Sequence, residues 1–170
     1  MKRFLSMLAL STALGLGACA ISPSSIASDA QALLAAAEAN GSISAADGLI
    51  VQDVITGYAV ISSAESSAVS AGDSGTLTAA KSLSAAITQL TTDDVSSTVN
   101  NDAKAAQALL GDIINSSTTT VTQSDLEIAV GTFLIDYLAA GSSASATPGN
   151  LSPTAALILD AREKLAALHH

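Results

Sequence analysis

The sequence predicts an all-α protein, a compact bundle of five or six helices after an N-terminal signal segment. Two observations lead there. Apolar residues recur at i, i+3 and i+4 in six stretches, most of them bounded by capping or stop residues. Short runs rich in Ser, Thr, Asn and Gly separate these stretches, and such runs form turns rather than strands. Of 170 residues, about 150 remain once a leader is set aside, which suits one domain. The core is expected to be thin, because 49% of residues are apolar but mostly alanine, and only 2% are aromatic. A large apolar side chain contributes roughly 1.5–3 kcal/mol on full burial and alanine far less, so the helix backbones must approach closely.

Residues Ile21 to Ala27 read as a polar, extended tether containing Pro23. The first helix is expected to open at Ser28 or Asp29, either of which can cap free backbone N–H groups. Ile26, Ala30, Leu33, Leu34 and Ala37 mark its inner face, and Asn40-Gly41 stops it. A second helix starts after Ser44, with Asp47 three residues on. Its stripe is Ile50, Val51, Val54, Ile55, Tyr58 and Ile61, with Gln52, Asp53 and Thr56 opposite. The β-branched residues here favour a strand, but the pattern does not alternate, and helix is the better reading. Asp53, near the middle, argues against a membrane span.

After the turn-rich run from Ser70 to Gly75, a third helix places Leu77, Ala80, Leu83, Ile87 and Leu90 inward. Thr92-Asp93-Asp94 is expected to cap the fourth, with Val95, Val99, Ala103, Ala106, Leu110 and Ile113 buried. Thr122 or Ser124 caps the fifth, which runs to Ala140 with Gly141 as its stop. Leu126, Val130, Phe133 and Tyr137 form one of its faces, and Ile128 and Ile135 part of another. Asp125, Thr132 and Asp136 leave a narrow polar strip, so this helix is expected to be central. After a linker from Gly141 to Leu151, Ser152-Pro153 opens the last helix as N-cap and N1. Leu157, Ile158, Ala161, Leu165 and Leu168 face inward. The short echo of Gln31–Leu34 at Gln107–Leu110 is what so much alanine produces by chance, and it carries no weight.

The first twenty residues carry an address. Lys2 and Arg3 give a positive start, Phe4 to Leu16 is uncharged, and Leu16-Gly17-Ala18-Cys19 closes the run. This is the layout of a secretory signal, too short to span a bilayer comfortably. The closing residues resemble the lipobox of bacterial lipoproteins, a branched apolar residue and two small ones before a cysteine. The resemblance covers residues 1–21 only. It implies a signal peptide over 1–18, cleavage before Cys19, acylation of Cys19, and a tether over 19–27 leading to a helical domain over 28–170. It also implies anchoring to a membrane leaflet. Ala20 in place of an aspartate points to the outer membrane, facing the periplasm, if the host has two membranes. Ala18-Cys19-Ala20 also fits ordinary cleavage after Ala20, which would leave a secreted or periplasmic protein.

Six basic residues face fifteen acidic ones; without Lys2 and Arg3, four face fifteen, a net charge of −11. Such a domain is a poor partner for nucleic acid and would be repelled by anionic lipid, so any membrane attachment must come through a lipid or a partner. The single cysteine permits no internal disulfide. Catalytic residues, a metal site and a cofactor are not expected. His169 and His170 are the sole imidazoles and end the sequence. Asp73-Ser74-Gly75 offers calcium one carboxylate. Asp93 and Asp94 are adjacent on a helix and cannot face one another. Asp136 demands a partner if buried, but is more simply placed on a solvent-facing edge. The function expected is therefore non-enzymatic: a cell-envelope lipoprotein serving as a structural or protein-interaction module. The alternative is a periplasmic domain that binds a small molecule or lipid between the Phe133 helix and the Ile50–Ile61 stripe.

Overall fold

The computed structural model describes residues 23–62, 68–69, 74–92, 95–115, 121–141 and 152–168. Among these residues the chain forms six helices: α1 (Pro23–Ala39), α2 (Ala45–Ser62), α3 (Ser74–Leu90), α4 (Ser97–Asn115), α5 (Gln123–Gly141) and α6 (Pro153–Ala167). The expected all-α bundle is therefore the fold. Two short strands accompany it, β1 (Ala68–Val69) and β2 (Val121–Thr122), paired antiparallel with Val69 opposite Val121.

Most helix boundaries follow from local chemistry. Gly41 takes φ +72°, which costs glycine little. The Gly41 N–H donates to Glu38 O and the Ser42 N–H to Ala37 O, closing α1 in a Schellman arrangement. Ser44 then caps α2: its hydroxyl accepts from the Asp47 N–H at 3.1 Å and donates to the Asp47 carboxylate at 2.7 Å. Thr122 caps α5 by accepting from the Asp125 N–H, and Ser152 caps α6 by accepting from the Ala155 N–H, with Pro153 at N1.

Four boundaries differ from expectation. Helix α3 already begins at Ser74, inside the run read as a turn, and α5 includes Gly141, read as its stop. The stretch read as tether through Ala27 is already helical from Pro23, because Ile26 and Ala27 are buried and proline is tolerated in a helix's first turn. Asp29 therefore sits inside α1 rather than capping it. The fourth helix starts at Ser97, with the Ser96 hydroxyl accepting from the Val99 N–H, so its cap lies beyond Thr92. Asp93 and Asp94 themselves lie outside the described residues.

The bundle is organised around α5, which packs on α1, α2, α4 and α6, while α2 also meets α1 and α3, and α3 meets α4. As the narrow polar strip foretold, α5 is apolar on most sides: Leu126, Val130, Phe133, Leu134, Ile135 and Leu138 are all buried. Phe133 is 0% exposed and shares one cluster with Val51, Val54, Ile55 and Tyr58 of α2. The expected inner faces of the other helices are buried too, except that Ile50, Leu77, Val95, Leu157 and Leu168 are only partly covered.

Small residues set the helix spacing. A Cβ on Gly57 would lie 2.8 Å from Leu83 Cγ across the α2–α3 contact. On Gly131 it would lie 2.8 Å from Leu165 Cδ2 and 3.4 Å from Ile26 Cγ2, so α5 meets α6 and α1 through that glycine. Gly111 of α4, by contrast, has only Asn115 Nδ2 nearby, at 4.0 Å.

These surroundings predict opposite signs for one substitution. Gly57→Ala is expected to lose about 1 kcal/mol net, since crowding the branch atom of a fully buried leucine outweighs the helix-propensity gain. Gly111→Ala should gain about 0.5–1 kcal/mol from propensity alone. Urea midpoints at constant m-value measure both; a rise for Gly57→Ala would contradict the close approach at Leu83.

Candidate functional site

Among the described residues, two polar clusters interrupt a largely apolar interior on α5. The first joins α4, α5 and α6. Asp136, expected on a solvent-facing edge, is instead largely covered, its side chain 15% exposed, and its Oδ1 accepts from Arg162 Nη2 at 2.6 Å and Nε at 3.2 Å. Asp125 does face solvent, and Thr132 is half-buried. Asp102 of α4 faces the same group. Burial, then the negative charge of Asp136 and a hydrogen bond shared with it, push the Asp102 carboxyl above the usual carboxylate range, while Arg162 pulls the other way. Ionised, Asp102 Oδ2 is buried with no hydrogen-bond donor; protonated, the carboxyl can donate to Asp136. The three side chains thus set two carboxyls and one guanidinium together, which ties three helices to one another.

A neighbouring pair fixes α6 to α1. Lys164 Nζ lies 2.7 Å from both Asp29 Oδ2 and Asp160 Oδ2. Burial works against its charge, but the two carboxylates outweigh that and hold the ammonium above its ordinary value.

The second cluster lies between α2 and the start of α5. Gln123 Nε2 donates to Ser62 O at 2.7 Å and to Glu127 Oε1 at 2.9 Å. Glu127 is only 5% exposed, and Tyr58 of α2 faces it at 2% exposure. Tyr58 and Ser62, four residues apart, form one side of the cluster; Gln123 and Glu127, also four apart, form the other. Burial first, then the Glu127 charge, drive the Tyr58 hydroxyl far above its usual range, against a lowering influence of Ser62. Neither hydroxyl closes a hydrogen bond of good geometry, although Ser62 lies near enough to both groups to affect them.

The surface carries shallow pockets. One of about 320 Å³ at the C-terminal end of α5 is lined by Ile43, Asp47, Val95, Val99 and Tyr137. A groove of about 500 Å³ between α2 and α3 is lined by Asp53, Thr56, Val60 and Thr78. Two smaller depressions, of about 270 and 240 Å³, flank the Asp102–Asp136 pair and share Thr132.

Among the sequence-derived candidates, Cys19, Asp73, Asp93, Asp94, His169 and His170 lie outside the described residues. Asp136 is described, and the fold brings Asp102 and Arg162 to it. Sequence reasoning missed Asp102 and Glu127. For Glu127 a signal exists: it shares helical spacing with Val130, Leu134 and Leu138, all buried. Asp102 shares helical spacing with buried Val99 and Ala106, but nothing along α4 shows that its neighbour is a carboxylate of another helix. Among the described residues, no three or more His, Cys, Asp or Glu side chains gather closely enough to hold a metal ion. No described helix is long and apolar enough to cross a membrane. Compared with protein-family models, curated proteins and solved structures, the chain matches none.

The raised Asp102 carboxyl has a definite pH consequence. A carboxyl whose folded-state pKa lies above its unfolded value of 3.8 stabilises the fold at low pH, and that stability fades as pH rises through the folded value. Asp102→Asn, which keeps the shape and drops the charge, should therefore match the wild type near pH 4 and exceed it increasingly towards pH 7. Urea unfolding at the two pH values checks this. A variant less stable than wild type at pH 7 would mean that Asp102 is held ionised by Arg162.

Proposed function

We propose that the chain is a non-enzymatic cell-envelope lipoprotein, anchored through acylated Cys19 and serving as a structural or protein-interaction module. The observation that carries this reading is the Leu16-Gly17-Ala18-Cys19 sequence placed immediately ahead of a closed helical bundle. Three residues separate Cys19 from Pro23, where α1 begins. At roughly 3.3–3.6 Å per extended residue, the four steps reach no more than about 14 Å. An acyl chain on Cys19 would therefore hold the bundle against the leaflet rather than on a long leash. The net charge of −11 calculated for the processed chain works against adhesion to anionic lipid, which leaves the exposed helix faces for a protein partner.

The ligand-binding alternative has less support. Phe133 and the Val51, Val54, Ile55 and Tyr58 stripe are all buried in one continuous core, so a ligand among them would have to displace core side chains.

Intact-mass measurement of the protein recovered from envelopes tests the anchor. The expected species begins at Cys19 and carries added acyl mass, while Cys19→Ala abolishes that mass and accumulates precursor. A mature chain beginning at Ile21 without added mass would replace this reading with that of a secreted protein. Cross-linking of the anchored form in envelopes should then yield a discrete heteromeric adduct; turnover of a substrate would overturn the non-enzymatic assignment.

A further inference from the structure

We propose that Glu127 is a proton-operated clasp between α5 and the last turn of α2, closed while its carboxyl carries a proton and loosened when that proton leaves to solvent. Among the described residues, the geometry is an interface with too few donors for a buried charge. A buried carboxylate holds its charge when several N–H or O–H groups point at it or a cation lies beside it. Among the described residues Glu127 has one donor of good geometry, Gln123 Nε2 at 2.9 Å. That same amide nitrogen donates to Ser62 O at 2.7 Å and reaches Ile61 O at 3.5 Å, so it also ties down the carbonyl end of α2. The group serving the carboxylate is thus the group that closes the helix end.

No cation compensates among the described residues. Four basic residues follow the leader. Arg162 is held by Asp136, and Lys164 by Asp29 and Asp160. Lys81 and Lys104 are exposed on α3 and α4. From α2 the titratable group facing Glu127 is Tyr58, whose own ionisation would add a second negative charge. β2 brings only uncharged Val121 and Thr122. Asp102 of α4 faces Asp136, which lies nine residues along α5 from Glu127, roughly half a turn round and so on the opposite side. Burial accordingly raises the Glu127 carboxyl above its ordinary 4.5, against the lowering effects of Gln123 and Ser62.

The clasp also sits at a particular end of the molecule. Ile26, in the first turn of α1, lies beside Gly131, one turn along α5 from Glu127. Proton loss would therefore loosen the end of the bundle from which the chain runs back towards Cys19. On the anchored reading of the chain this is the end nearest the membrane; the clasp itself does not depend on that reading.

The sign follows from linkage. A carboxyl raised in the folded state stabilises it fully below the unfolded value, and this contribution is lost as pH rises through the folded one. The test uses the full-length chain in an Asp102→Asn background, which silences the other raised carboxyl. Urea unfolding from pH 4.5 to 8 is compared with and without Glu127→Gln. With Glu127 present, the folded-to-unfolded ratio should fall with rising pH by up to about tenfold per unit more than in the Glu127→Gln chain, whose amide does not titrate. Equal pH slopes, or a Glu127→Gln chain less stable throughout, would overturn the clasp. Should that variant not fold, the Glu127 side-chain carbon is followed by NMR in the Asp102→Asn chain. A titration midpoint above 4.5, with amide exchange at Ile61 and Ser62 quickening over the same range beyond its intrinsic pH dependence, supports the clasp. A midpoint at or below 4.5, or exchange that follows the intrinsic dependence alone, refutes it.

Discussion

Close approach of helix backbones is the constraint on which this bundle depends. A chain with so few aromatic side chains cannot fill wide gaps between helices, so its layers must be thin. Glycines at the crossings provide this: Gly57 lets α2 meet Leu83 of α3, and Gly131 lets α5 meet Leu165 of α6 and Ile26 of α1. Alanines at 30, 37, 80, 103, 106 and 161, all buried, do the same along the helix faces. The few large side chains, Phe133 and Tyr58 above all, then occupy the centre, where α5 and α2 meet.

Thin layers also explain where polar groups end up. Helices packed this closely leave little room for long side chains to snorkel out, so a carboxylate on the wrong side of a helix is trapped. Glu127 is trapped against Tyr58, and Asp102 against Asp136. In both places the cost of ionisation falls on a carboxyl rather than on a lost contact, and both make the fold more tolerant of acid than of base. Arg162 and Lys164 relieve the α6 side, so that the last helix is held by charge as well as by Ile158, Ala161 and Leu165. The α2 side has no such relief, which is why the two clusters differ in character.

The placement of α1 bears on function. Helix from Pro23 onward shortens the connection to Cys19 to a few residues, whatever that cysteine carries. A module so close to its proposed anchor presents its sides and far end outward. The pocket at the C-terminal end of α5 and the α2–α3 groove lie on those faces.

Local chemistry alone determined the helices, most of their ends and the central place of α5. Caps such as Ser44, Ser152 and Gly41 act within a few residues, and apolar periodicity is a property of one helix at a time, so both can be read along the chain. The start of α1 escaped that reading because Pro23 through Ala27 is polar and turn-like by composition; burial of Ile26 against α5 makes it helical. The partners of Asp29, Asp102 and Asp136 escaped it for a related reason. Each lies on a different helix from its partner, and which carboxylates meet a cation and which meet each other depends on the rotation of one helix against the next. Glu127 stands between the two cases: its spacing with Val130, Leu134 and Leu138 carries a signal that sequence reasoning missed, but its lack of a cation among the described residues is settled only once α2, α5 and α6 are packed.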